Sequence, residues 1–191
     1  MDRTQLEELG RPVNAAAGGT VEYRRVAPAD CDAIRSFLSG LSLRTRFLRF
    51  FAPASPPSPA VLRAMCGGGR TTEAFVATHD GVIVGHAMAA DSISPEGCLV
   101  SDLGVVVADG WQNQGIGSQM LDLLVARATA RGVSVLVMDV LPENKQMLGM
   151  ISRRWADAGY QFSGGSVLAR VYLAGVQGAK GGCGGADLRA A

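Results

Sequence analysis

The sequence predicts a mixed α/β fold, α+β by some schemes: a mostly antiparallel sheet of about seven strands flanked by about four helices. Three observations predict it. Glu73–Thr78 and Val82–Ala90 are strand-like runs joined by His79-Asp80-Gly81, whose Asp-Gly step marks a tight hairpin. The valine-rich run Leu99–Val107 and the continuous apolar run Val133–Val140 bracket an amphipathic segment, the pattern of one βαβ unit near 99–140. A last hairpin, Tyr160–Phe162 and Ser166–Leu173, turns around Gly164-Gly165.

From the N-terminus, Thr20–Val26 alternates as a strand. Pro28–Leu38 reads as a helix, with Pro28 in its first turn and Ile34, Phe37 and Leu38 on one side. Leu41–Phe51, LSLRTRFLRFF, follows. Ala52–Pro59 holds four prolines and is a loop, and Ala60–Met65 is a short helix ended by Gly67–Gly69. Gly115–Arg131 is a strong helix with Met120, Leu121, Leu124, Val125 and Ala128 on its apolar stripe and Gly132 as its C′ stop. Glu143–Ala158 is a further helix, stopped by Gly159. The expected organisation is one domain over residues 20–174 between flexible tails, 1–19 and a Gly/Ala-rich 175–191, which hold too little apolar surface to offset ordering entropy.

Composition excludes several classes. The 18 basic and 17 acidic residues leave a formal charge of +1, which argues against a nucleic-acid protein and gives no polybasic membrane patch. No apolar run reaches the ~20 residues a membrane helix needs, and the start has no signal-peptide core, so the expected location is the cytoplasm. Cys31, Cys66, Cys98 and Cys183 show no metal-type spacing, and the two histidines are His79 and His86; the expectation is no metal and reduced, mostly buried thiols. No feature speaks to oligomeric state.

The most informative stretch is Ser101–Gly117, SDLGVVVADGWQNQGIG: a strand, a loop, glycines, then a helix. The first N–H groups of a helix lack partners within it, and the macrodipole adds partial positive charge there. Glycines let a phosphate approach the backbone. Gly115 and Gly117 fit the first two positions of a dinucleotide GxGxxG, with Asp139 downstream. Yet Met120 stands where the third position falls, and Ala108–Gln114 separate the strand from the first glycine.

Gln112–Gly117 instead matches Q/R-x-x-G-x-G/A in full. With the strand before it, Trp111, the helix after it, Val133–Val140 and Glu143-Asn144, residues 20–173 resemble the GNAT superfamily of N-acetyltransferases, most of all the bacterial Pat-type protein lysine acetyltransferases. The resemblance implies that acetyl-CoA is the co-substrate. It implies that the N–H groups of Gln114, Gly115, Ile116, Gly117 and Ser118 hold the pyrophosphate, with Gln112 and Asn113 beside them. It implies that Val105, Val106 and Val107 pair with pantetheine through their backbone, an N–H near Val106 facing the thioester oxygen. It places Asn144 and Met147 at the cofactor, although Asn144 also suits helix capping and Met147 packing. Arg153 and Arg154 are candidates for a CoA phosphate, or solvated side chains on an exposed helix face.

An amine is protonated at neutral pH, so attack needs a base. Asp102, three residues before Val105, occupies the strand position where the Pat type carries a glutamate; the plainer reading is an aspartate bonded to a turn. The helix after Asn144 lacks the family's acid tyrosine; Ser152 and Tyr160 are weak substitutes. Arg44, Arg46 and Arg49 in the Arg-aromatic run would read acidic surroundings of a target lysine, or form a solvated helix edge. His79 is expected exposed in its turn and His86 packed in its strand. The resemblance implies acetylation of lysine side chains on a protein partner. The alternatives are acetylation of a small amine, such as an antibiotic or polyamine, and a catalytically silent acyl-CoA sensor.

Overall fold

The computed structural model describes residues 13–14, 20–52 and 57–173. The strands are β1 (Val13–Asn14), β2 (Thr20–Arg25), β3 (Thr72–His79), β4 (Val82–Ile93), β5 (Leu99–Val107), β6 (Val135–Val140), β7 (Gly159–Ser163) and β8 (Ser166–Tyr172). The helices are α1 (Cys31–Gly40), α2 (Leu43–Phe50), α3 (Pro59–Met65), α4 (Ile116–Ala130) and α5 (Lys145–Arg154). The sheet order is β1-β2-β3-β4-β5-β6-β8-β7, antiparallel except where β5 pairs β6. This is the predicted mixed, mostly antiparallel architecture, with the two-residue β1 added at one edge inside the segment expected to be a tail. The rest of both expected tails lies outside the described residues.

Boundaries depart from expectation in three places. Pro28–Asp30 is a separate 3-10 turn before α1. The predicted helix over 28–38 is thus split, because Asp30 folds back to take Arg24 and the Ala27 N–H on its carboxylate. In α2, Ser42 is the N-cap, its hydroxyl accepting from the Thr45 N–H. The helix predicted over 143–158 runs only from Lys145 to Arg154, since Trp155 adopts extended geometry.

Alternation along the central strands builds two cores. Leu103, Leu136, Met138, Ala169 and Val171 face α4 and α5, packing on Met120, Leu121, Leu124 and Ile151. Val76, Ile83 and Val106 face the other way, onto Ile34, Phe37 and Leu38 of α1 and Met65 of α3. The second direction is called the front below. Among thiols, Cys31 and Cys66 are free.

Glu73 ties the two ends of the domain together. Its carboxylate accepts from Arg25, Arg127 and Arg131, and Arg131 also donates to Asp91 at 2.6 Å. The Glu73 side chain is 11% exposed, so its removal leaves three guanidinium groups converging with Asp91 alone to answer them. Glu73→Ala is expected to cost about 2 kcal/mol, read as a Tm lower by roughly 4–8 °C. An unchanged melting curve would mean that the cluster is solvated decoration.

Candidate active site

The site is made by a parting of strands. β5 and β6 pair only at Val100↔Val135, Ser101↔Leu136 and Asp102↔Val137. Beyond Asp102, β5 stays with β4 to Val107, while β6 stays with β8 to Val140. One edge of β5 is therefore open over Leu103–Val107. Backbone direction along this strand can be read from its ends. The Leu99 carbonyl accepts from Ser134 on the β6 side, and the Ala108 N–H donates to Val84 on the β4 side. Register is unbroken between, so Leu103, Val105 and Val107 turn their peptide groups to the open edge, and Val106 turns its own to β4 opposite His86. The alternation narrows the expected N–H near Val106 to its neighbours: Val105 offers one, and that of Val106 itself faces β4. Val106 contributes a buried side chain to the front core.

The open edge leads into the glycine turn. Asn113 and Gly115 both take left-handed geometry, φ 62° and 82°, which reverses the chain and aims successive N–H groups outward. The N–H groups of Gly115, Ile116, Gly117 and Ser118 have no backbone acceptor among the described residues, while that of Gln114 closes the turn before them. A Cβ on Gly117 would meet only Val107 Cγ2 at 3.6 Å and Val105 Cγ1 at 3.9 Å, so nothing in the protein forbids one; the space above it is cleft. Four unanswered donors at a helix start fit a diphosphate. Ile116 itself is buried beneath, and Gln114 donates to the Gly110 carbonyl at 3.1 Å, leaving its Oε1 buried without a partner.

Other predicted residues turn out to be struts. Gln112 Nε2 donates to the Val107 carbonyl and to Thr45 Oγ1, both at 3.1 Å. The amide thus fastens the turn to β5 and α2 rather than reaching out. Thr45 in turn donates to Asp109 at 2.7 Å, and Asp109 also receives the Ser42 hydroxyl at 2.6 Å and its N–H at 2.9 Å. Burial pushes the Asp109 carboxyl up, but these hydrogen bonds outweigh it and hold the group below the ordinary range. Sequence reading missed this hub; the polar spacing Ser42-x-x-Thr45 beside an Asp-Gly-Trp turn was its only local signal. Asn144 Oδ1 caps α5 by accepting from the Met147 N–H at 3.1 Å, which leaves its NH2 to serve a ligand. Asn113 Oδ1 accepts from Gln146 at 2.9 Å, which joins the turn to α5.

Between these elements lies a cavity of about 560 Å³. Thr45, Leu48 and Arg49 of α2 form one wall; Val105, Val106 and Val107 form the floor; Trp111–Asn113, Gly115, Gly117 and Ser118 form the turn side. Asn144, Gln146, Met147, Met150, Arg153 and Arg154 of α5 close it. Arg154 pairs with Asp122 and donates to Ser118 Oγ at 3.2 Å, which holds a guanidinium beside the turn. Of the three arginines of the predicted acceptor side, Arg49 alone lines the cavity. Arg44 is exposed, and Arg46 lies half-buried with its Nε unpartnered.

Asp102 does not line the cavity. It stands on the front face at the point of parting, exposed yet crowded at its carboxyl. Burial, and then the charge of nearby Asp139, raise it above the ordinary carboxylate range. His79 is not exposed as expected: it stacks on Trp111 with ring centroids 4.6 Å apart, its Nε2 buried. His86 is packed as expected, its Nε2 2.9 Å from the Met65 carbonyl. Burial drives its pKa down to about 4, so it is neutral at physiological pH. Ser152 donates to the Gly149 carbonyl, and Tyr160 lies on β7, so neither reaches the cleft.

The profile of the acetyltransferase (GNAT) family matches residues 41–154. No curated protein matches the chain significantly. Among solved structures, the GNAT domain of S. lividans PAT superposes with TM-score 0.73 at 23% identity, covering 87% of this chain and 98% of that one. The yncA protein of Salmonella typhimurium, solved with its cofactor acetyl-CoA, gives TM-score 0.60 at 18% identity, covering 80% of this chain and 94% of that one. A cAMP-binding acyltransferase from Mycobacterium smegmatis gives TM-score 0.57 at 21% identity over 91% of this chain and 51% of that one. These likenesses establish the fold. The dinucleotide reading of the glycines falls with it, because the strand before the turn is antiparallel to β4 and parts from β6.

Proposed function

Because the chain belongs to the GNAT acetyltransferase family, whose members take an acetyl group from acetyl-CoA, we propose that it acetylates lysine side chains of proteins by direct attack in a ternary complex. One observation carries the reading: β5 and β6 part immediately after Asp102, which sets a carboxylate of raised pKa beside an open strand edge that ends in an anion-binding turn. The turn and Arg154 hold the pyrophosphate, and the open edge of Val105 and Val107 takes pantetheine. The N–H of Leu103 or Val105 then meets the thioester oxygen.

In this reading Asp102, directly or through a water, removes a proton from the lysine ammonium. The amine nitrogen attacks the thioester carbon, and the negative charge that builds on the oxygen is met by the strand N–H. As the C–S bond breaks, the attacking nitrogen gives up its second proton to solvent and becomes the neutral amide, and the thiolate takes a proton from solvent. Among the described residues, no tyrosine, cysteine or histidine lines the cavity to supply it. The acceptor enters from the front, where Asp102 and Asp139 are both exposed, which suits a side chain presented by a folded protein. Such chemistry draws on acyl-CoA, which supports a cytoplasmic location. No described helix is long and apolar enough to cross a membrane.

A second reading, a small polyamine-like acceptor, is favoured by the same acid pair, which attracts multiply charged amines. An acetyl-CoA consumption assay with lysine-containing proteins and peptides against small amines separates them. Turnover with peptides is expected. Turnover confined to small amines would overturn the lysine assignment, and tight acetyl-CoA binding with no acceptor at all would leave a sensor.

A further inference from the structure

Arg49 is a cation for which the sheet has made room. Gly104 lies on the front face of β5 between Asp102 and Val106, and a Cβ there would stand 2.5 Å from Arg49 Cζ. The guanidinium therefore rests on bare strand backbone. Its Nε is buried without a hydrogen-bond partner, and it forms no ion pair among the described residues. Burial draws its pKa down to about 10. The Phe50 ring centroid lies 5.2 Å from Cζ, but a ring face attracts a cation without accepting its in-plane N–H donors. The side chain keeps access to the cavity it lines.

A half-buried cation whose Nε has no partner is unfavourable, and the planar fork of arginine matches a carboxylate through two parallel hydrogen bonds. The CoA phosphates are not the natural partner. Gly104 is three residues before the strand end that feeds the turn, about 10 Å along β5, and Arg154 already stands at that end. Arg49 belongs to the reacting end, next to the parting of the strands.

We propose that Arg49 binds a carboxylate that one of the two substrates brings to the reacting end of the cleft. The carboxylate has two possible sources: the terminus of a dicarboxylic acyl chain such as succinyl, or an acidic group beside the acceptor amine. The proposal rests on reading the cleft as the acyl-transfer site.

The test uses the full chain and Arg49→Met, which keeps volume and removes charge. In the donor arm, unreactive thioether analogues of succinyl-CoA and butyryl-CoA are titrated calorimetrically. In the acceptor arm, acetyl-CoA turnover is compared on lysine peptides carrying Glu or Gln beside the lysine. The expected result is a preference of about tenfold or more for the carboxylate in one arm, lost in Arg49→Met while free CoA binds both proteins equally. The arm that responds identifies the source. If the wild-type chain prefers the carboxylate in neither arm, the proposal is overturned, whatever the variant does; should Arg49→Met not fold, Arg49→Lys replaces it, with a weakened preference expected. The donor arm needs no turnover. Discrimination there without acetylation of any lysine would sink the lysine reading and leave this one standing.

Discussion

Asp102→Asn is expected to lower kcat/KM by about 10²–10⁴ while the affinity for acetyl-CoA stays within about twofold. The expectation follows from position. Asp102 pairs with Val137 in the last rung before β5 and β6 part, so it stands on the front face where the strands separate, five residues before the strand end that feeds the pyrophosphate turn. The variant keeps size and loses the base. The sign of the pH effect is also determined. A base works deprotonated, so the rate should rise with pH through the Asp102 pKa, which burial and then Asp139 lift above the carboxylate norm of ~4. Asp139→Asn removes the negative neighbour. The acidic limb should move to lower pH with the plateau rate preserved. Asp102→Glu should retain much of the activity, since one methylene changes the reach and not the chemistry. Full activity in Asp102→Asn across the pH range would remove Asp102 from the mechanism.

Much of the fold was legible because its signals are local. Asp80-Gly81, Gly132 and Gly164-Gly165 all have the positive φ that their turns require, and each sits where its element ends. The glycine turn was legible for the same reason: its donors, dipole and left-handed residues lie within six positions. What was not legible depends on partners far along the chain. Val106 was a candidate oxyanion donor until the Ser134 and Ala108 bonds showed which peptide groups face the gap. Gln112 belongs to the motif, yet its amide is tied down by Thr45, 67 positions away. Arg49 lay in a run that read equally well as a solvated edge. Only the missing side chain of Gly104, on another element, turns it inward. His79 was read from its hairpin alone, and Trp111 then covered it. Periodicity records which face of an element is buried; it does not record which residue on another element completes a site.

Gly117→Asp is expected to weaken acetyl-CoA binding by about 100-fold or more, near 2.7 kcal/mol, while leaving the fold intact. Gly115 and Gly117 differ in why they are glycine. Gly115 has φ 82°, so any side chain there is strained by about 1–2 kcal/mol, although a Cβ would meet nothing within 4 Å. Gly117 begins an ordinary helical turn, and its Cβ would touch only valine methyls at 3.6 and 3.9 Å. A carboxylate at Gly117 is even favourable to the free helix, because it answers unpaired N–H groups and the dipole. Those are the groups the pyrophosphate needs, and the new charge repels it. Gly117→Asp should therefore hold or raise Tm while losing the ligand, and Gly115→Ala should lower Tm with a smaller change in affinity. Calorimetric titration with acetyl-CoA and a thermal melt of each variant test the pair. Equal binding by Gly117→Asp and wild type would place the pyrophosphate elsewhere, and with it the direction in which the whole cleft is read.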